Sequence, residues 1–115
     1  MPVGVLLPVI QSAACCSPLT RAALGAPEAE DLARSLKALA DPTRLRLVSI
    51  VAASQNAEAC VCDLTEGFDL SQPTISHHLR VLTDAGFLRR TQRGTWAWYS
   101  LVPGALDAVG ALLAP

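Results

Sequence analysis

Between residues 28 and 39, Leu32, Leu36 and Leu39 recur at helical spacing and share a face with Ala29 and Ala33, while Glu28, Glu30, Arg34 and Lys37 take the other face. The pattern predicts an amphipathic helix opening at Pro27. Asp41-Pro42 then offers an N-cap and a proline at the first helical position. Leu45, Leu47, Val48, Ile50, Val51 and Ala52 give the next helix a broad apolar face, so it is expected to be central. Residues 54–59 are polar and read as a loop, and 60–66 suit a short helix stopped by Gly67. Ser71 caps a helix over 72–85, in which Ile75, His78, Leu79 and Leu82 fall at i, i+3, i+4 and i+7 toward the core, and Gly86 ends it. Residues 87–92 and 95–101 are β-prone runs joined at Arg93-Gly94 as a hairpin. A last apolar helix over 103–113 carries Leu106, Val109, Leu112 and Leu113 on one side. Pro2, Pro8, Pro18, Gly4 and Gly25 break any sustained period near the start. Residues 1–26 are therefore expected to be a flexible arm and 27–115 the folded domain, mainly α with a β-hairpin (α+β).

Composition narrows the class. A chain of 115 residues allows one domain, and with 51% apolar and 17% charged residues it can bury a core, near the size where a lone core is marginal and a dimer helps. The net charge of -1 hides an asymmetry: four Arg face one Asp in residues 71–100, whereas residues 1–70 hold five cations against eight anions. A locally basic surface is expected. The apolar start from Val3 to Ile10, followed by Ser12-Ala13-Ala14-Cys15, imitates a lipoprotein cleavage site. No Lys or Arg precedes Arg21, however, Pro8 interrupts the run, and so short a segment cannot span a bilayer. The expectation is a cytoplasmic protein with no membrane partner, whose four Cys are thiols in two close pairs, Cys15-Cys16 and Cys60/Cys62.

A short helix, a glycine-containing turn, a helix with a polar start and then a basic hairpin is the order of a winged helix-turn-helix. The stretches Lys37-Ala38-Leu39-Ala40-Asp41-Pro42-Thr43-Arg44, Cys60-Val61-Cys62-Asp63-Leu64 and SQPTISHHLRVLTDAGFLRR from Ser71 to Arg90 resemble the ArsR/SmtB family of metal-sensing bacterial repressors. The likeness covers residues 28–113. It implies a homodimer paired through its first and last helices, with two recognition helices in successive major grooves of double-stranded operator DNA, released when a ligand binds. A recognition helix needs short hydrogen-bonding side chains at its N-terminal end, and Ser71, Gln72, Thr74, Ser76 and His77 fit. Gln72 suits base-edge readout, whereas Ser71, Thr74 and Arg80 suit phosphates. Of Arg89, Arg90 and Arg93 beside the hairpin turn, Arg93 at the tip is the first choice for DNA, although each reads equally as a solvated charge. Trp96 and Trp98 are assigned to core and sheet packing. His77 and His78 point about 100° apart and cannot share one ion; His78 is assigned to hydrogen-bonded packing and His77 faces outward. Neither a Ser-His-Asp set, a nucleophile elbow nor a Gly-rich phosphate loop occurs, so no enzyme is expected.

The cysteines point to the ligand. Cys60 and Cys62 open a short helix whose dipole favours thiolate, and Cys15 and Cys16 lie on an arm able to fold toward them. Sulfur selects soft ions; nickel and cobalt are poorly served. The resemblance implies either a Cys-x-Cys helix with a third Cys one turn on, or an N-terminal pair meeting a thiol of the core. Here Thr65 stands at the place of that third Cys, so the preferred set is Cys15 and Cys16 with Cys60 or Cys62, binding arsenite or antimonite as inducer. Cadmium or lead held by all four thiolates is an alternative. Another is a thiol-redox repressor joining Cys15 or Cys16 to Cys60 or Cys62. The zinc site of other relatives needs Asp and His on the last helix, which offers only Asp107. A buried Cys also serves simply as a small hydrophobe, and Cys62 is the candidate for that. A metal chaperone or thiol enzyme on the same scaffold would show no salt-sensitive duplex binding.

Overall fold

The computed structural model describes residues 19–114 in two units, one of residues 38–102 and the other of 19–37 with 103–114. Cys15 and Cys16 lie outside the described residues. Five α-helices and three strands are found among those that are described.

Residues 38–102 hold the helix-turn-helix. Asp41, with extended backbone, accepts a hydrogen bond from the Arg44 N–H at 3.1 Å and starts α2 (Pro42–Ala53). Pro42 fits because a first-turn N–H has no helical partner. That hydrogen bond, with the Arg44 charge and His78 nearby, holds the Asp41 carboxyl below its ordinary value against a smaller desolvation effect. A lowered folded value means that the stabilisation is full above the unfolded pKa and is lost as pH falls through the folded one. Asp41→Asn keeps a capping oxygen but no charge. Its stability deficit relative to the native chain, read from urea melts across the acid range, is therefore expected to shrink as pH falls through that window.

A 3₁₀ turn (Gln55–Ala57) leads into β1 (Glu58–Cys60), then α3 (Val61–Glu66), α4 (Gln72–Asp84), β2 (Leu88–Arg93) and β3 (Trp96–Leu101). The sheet order is β1-β3-β2, antiparallel throughout, with Glu58 opposite Ser100 and Arg90 opposite Tyr99. Leu47, Val51, Leu64, Ile75, Leu79, Leu82 and Phe87 are fully buried, one apolar stripe from each helix closing on the foot of the hairpin. Gly86 (φ 87°) lets the chain leave α4 sharply, and the Phe87 N–H donates to the Leu82 carbonyl at 3.0 Å. The hairpin turns on Gly94-Thr95, with Gly94 at φ 62°, one residue later than expected. α2 buries Leu47, Val48 and Val51, whereas Leu45 is exposed.

In the other unit lies most of α1 (Ala26–Leu39), together with α5 (Ala105–Leu113). The buried stripe of α1 is Leu32, Ser35 and Ala38; Ala29 and Ala33, expected on that face, are exposed. α5 buries Ala105, Val109 and Leu112 but exposes Leu106 and Leu113. The Leu112 carbonyl accepts from the Leu19 N–H at 3.0 Å.

Candidate nucleic-acid interface and thiol pair

At the start of α4 the Ser71 hydroxyl accepts from the Thr74 N–H at 3.4 Å and meets the Thr74 hydroxyl at 2.9 Å. The two side chains assigned to phosphates thus bond each other across the cap. Ser71, Gln72, Thr74, His77 and Arg80 are exposed and Ser76 is half-buried. Arg80 only brushes Asp84 at 4.0 Å with most of its side chain in solvent, an ion pair of little consequence. His78 is half-buried and its Nδ1 lies 3.1 Å from an Arg44 Nη, which donates to it, in keeping with a packing role.

The hairpin presents two different faces, because side chains alternate along a strand. Arg90 and Gln92, opposite Tyr99 and Ala97, line an open cleft of about 340 Å³ together with Gln72 and Ser76 of α4. Trp96 borders the same cleft and is 51% exposed, which departs from the packing role expected of it. On the reverse face, Arg93 binds the Glu58 carboxylate in bidentate fashion, at 2.7 and 3.2 Å, and its guanidinium carbon lies 4.6 Å from the centroid of the Trp98 ring. Arg93 hydrogen bonding holds the Glu58 carboxyl below its ordinary value and raises that of Arg93 in return. The expected first-choice DNA cation is thus already partnered, and Arg90 is a hairpin cation that shares a cleft with the start of α4. Sequence spacing gave no signal for this, since Glu58 and Arg93 are 35 residues apart.

Cys60 ends β1 and caps α3, its sulfur accepting from the Cys62 N–H at 3.3 Å. Cys60 is buried and Cys62 exposed, so the packing cysteine is the one not chosen from the sequence. Their sulfurs are joined as a disulfide with Cα atoms 5.3 Å apart, where thiols were expected. The strand-to-helix corner accounts for the approach, because it turns the side chains of residues two apart to one side. Among the described residues no three His, Cys, Asp or Glu side chains converge on a metal position. Thr65 donates its hydroxyl to the Val61 carbonyl at 2.8 Å and stays within its own helix. Asp107 is exposed on α5.

Residues 41–90 match the family described as bacterial regulatory protein, arsR family. The chain is 44% identical over 77 residues to an arsenic resistance transcriptional regulator of Pseudomonas putida, covering 67% of this chain and 59% of that one. With an uncharacterized HTH-type transcriptional regulator of Methanocaldococcus jannaschii it shares 41% identity over 73 residues, covering 64% of this chain and 80% of the other. The chain belongs to the arsR family. Among solved structures, this arsR-family chain is similar to a possible transcriptional regulator for arsenical resistance, with 38% identity, TM-score 0.62 and coverage of 69% of this chain and 79% of that one. It is also similar to an antimony-specific transcriptional repressor, at 31% identity and TM-score 0.65, covering 78% and 80% of the two chains. A third similar structure is a homodimeric winged helix-turn-helix DNA-binding domain from Mycobacterium bovis, at 25% identity and TM-score 0.60, covering 80% and 82%. The winged helix-turn-helix assignment thus holds for this arsR-family chain. Among the described residues no helix is long and apolar enough to cross a membrane.

Proposed function

We propose that the protein is a homodimeric transcriptional repressor that binds operator DNA through α4 and the hairpin and is released when arsenite or antimonite binds its cysteine thiolates. The observation that carries this reading is the pairing of a polar, exposed α4 start with two adjacent cysteines, thiols once reduced, held at one corner of the same unit. Gln72 reads a base edge, and Ser71, Thr74, Ser76, His77 and Arg80 contact the backbone or flanking bases. Cys15 and Cys16 of the arm, residues 1–26, complete a trithiolate with Cys60 or Cys62. Each As–S bond forms as a thiol proton leaves with an arsenite hydroxyl as water. Exposed Leu106 and Leu113 on α5 supply apolar surface for a second copy.

Ligand and DNA then oppose each other by linkage, each weakening the other by the same factor, with a coupling of about 1 to 3 kcal/mol in typical cases. Fluorescence anisotropy with a duplex from upstream of the protein's own coding sequence tests the reading. Arsenite and antimonite are expected to raise the dissociation constant by about tenfold or more. Release by cadmium or lead but not by arsenite overturns the ligand assignment in favour of the four-thiolate alternative. Gln72→Ala is expected to lose about 1 to 3 kcal/mol of discrimination against a scrambled duplex.

The Cys60–Cys62 disulfide favours a second reading, a thiol-redox repressor. In it hydrogen peroxide takes two electrons and two protons from the two thiols, forming the S–S bond and two waters. Intact mass and duplex binding after peroxide, with and without reductant, separate the two readings.

A further inference from the structure

The hairpin sorts its cations by strand parity. Arg90 looks toward α4, while Arg93 turns to the reverse face, where Glu58 occupies two guanidinium nitrogens at 2.7 and 3.2 Å and Trp98 backs its plane at 4.6 Å. A phosphate oxygen needs those same N–H groups, because bidentate recognition of carboxylate and of phosphate uses one donor fork. Glu58 is brought there by a costly turn. Asn56 and Ala57 are both left-handed, at φ 59° and 52°, a conformation that an alanine disfavours, and they feed directly into β1 with Glu58 opposite Ser100. The strand's three residues leave Glu58 half-buried on the Trp98 side, in reach of the wing tip.

We infer that Glu58 is an internal competitor for Arg93: the pair withholds the wing-tip cation from the DNA backbone, leaving Arg90 as the wing cation on the recognition-helix side. Arg93 adds its contact only when Glu58 releases it. Glu58 therefore acts as a positioning residue that sets how many phosphates the wing neutralises. This rests on the DNA-binding reading above.

Counterion release makes the claim countable, since each phosphate neutralised on duplex DNA steepens the slope of log affinity against log salt by about 0.9. The reduced 115-residue chain is titrated with the upstream duplex and a scrambled duplex over a range of salt. Glu58→Gln and Glu58→Ala are expected to tighten binding several-fold at low salt and to steepen the slope by about 0.9. Arg93→Ala alone is expected to change little, and Arg90→Ala to weaken binding and flatten the slope. The Glu58→Gln, Arg93→Ala double variant is expected to return to wild-type binding, and Glu58→Asp, which keeps the charge, to stay near it.

Two results overturn the inference. One is Arg93→Ala losing as much affinity as Arg90→Ala, which puts Arg93 on DNA already. The other is the double variant binding as tightly as Glu58→Gln, which reduces Glu58 to simple charge repulsion. If the wild-type protein binds neither duplex in a salt-sensitive way, the DNA-binding reading falls together with this one. Salt-sensitive binding without coupling between positions 58 and 93 removes the competitor alone.

Discussion

Changing Cys60 and Cys62 together to serine is expected to abolish arsenite-driven release while leaving duplex affinity within about twofold, a difference of only ~0.4 kcal/mol. The serine hydroxyl keeps the shape and the capping capacity of the thiol but not its affinity for a soft centre. At position 60 the exchange suits the local geometry, because the side chain already accepts from the Cys62 N–H at 3.3 Å and serine is among the preferred N-cap residues. The cost lies in burying a hydroxyl where a 4% exposed sulfur stood, and that capping hydrogen bond offsets it. The double variant should therefore fold, and its apparent duplex dissociation constant should stay flat as arsenite is added. Cys15→Ser, Cys16→Ser in one chain should also blunt release, since no third ligand is found among the described residues. Full arsenite response in a protein lacking Cys60 and Cys62 removes the thiol pair from the sensor. The single variants add a finer distinction: exposed Cys62 is accessible without rearrangement, whereas buried Cys60 requires the β1–α3 corner to open.

What could be read from the sequence was local, and what could not was set by distant partners. The start of α4 was legible because Ser71 caps it and Ile75, Leu79 and Leu82 keep helical spacing to Gly86. β1 was not legible: its three residues carry no periodicity of their own, and their strand character comes from pairing with Trp98, Tyr99 and Ser100 some forty residues on. Missing that strand also hid the burial of Cys60, which comes from its place at the end of β1 beside β3. The same gap concealed the ion pair at Arg93, since an isolated charge at a hairpin tip gives no sign of a carboxylate on a neighbouring strand. On α1, periodicity alone could not tell which of several small residues turns inward, and Ser35 is buried where Ala33 was expected. Trp96 illustrates the limit of propensity. A tryptophan in a β-prone run suggests packing, yet its place at the first residue of β3, beside the turn, leaves it half in solvent.

Phe87→Ala is expected to cost about 3 to 5 kcal/mol, because a fully buried aromatic is deleted from a site whose walls can relax only in part. Phe87 sits where α4 has just ended and β2 has not begun. Its N–H donates to the Leu82 carbonyl and its carbonyl accepts from the Val102 N–H, both at 3.0 Å. These backbone bonds hold the foot of the hairpin against the end of the recognition helix and survive the substitution, so the vacated ring volume cannot close by moving the chain. Stabilities of small domains are about 5 to 15 kcal/mol in total, so this loss removes a large fraction of the margin that keeps the unit folded. Urea melts at one fixed protein concentration should show a much lower midpoint with an unchanged slope. Leu45→Ala, at an exposed position of α2, is the control, with an expected change within about 0.5 kcal/mol. A Phe87→Ala loss near that of the control would mean that the core closes over the gap and that the angle between α4 and the hairpin is not fixed by this ring. In that case duplex affinity would be kept as well. The expected result is the opposite: under conditions where the variant remains folded, duplex binding weakens, because in the proposed complex Gln72 on one element and Arg90 on the other reach a single duplex only while the hairpin foot keeps their spacing.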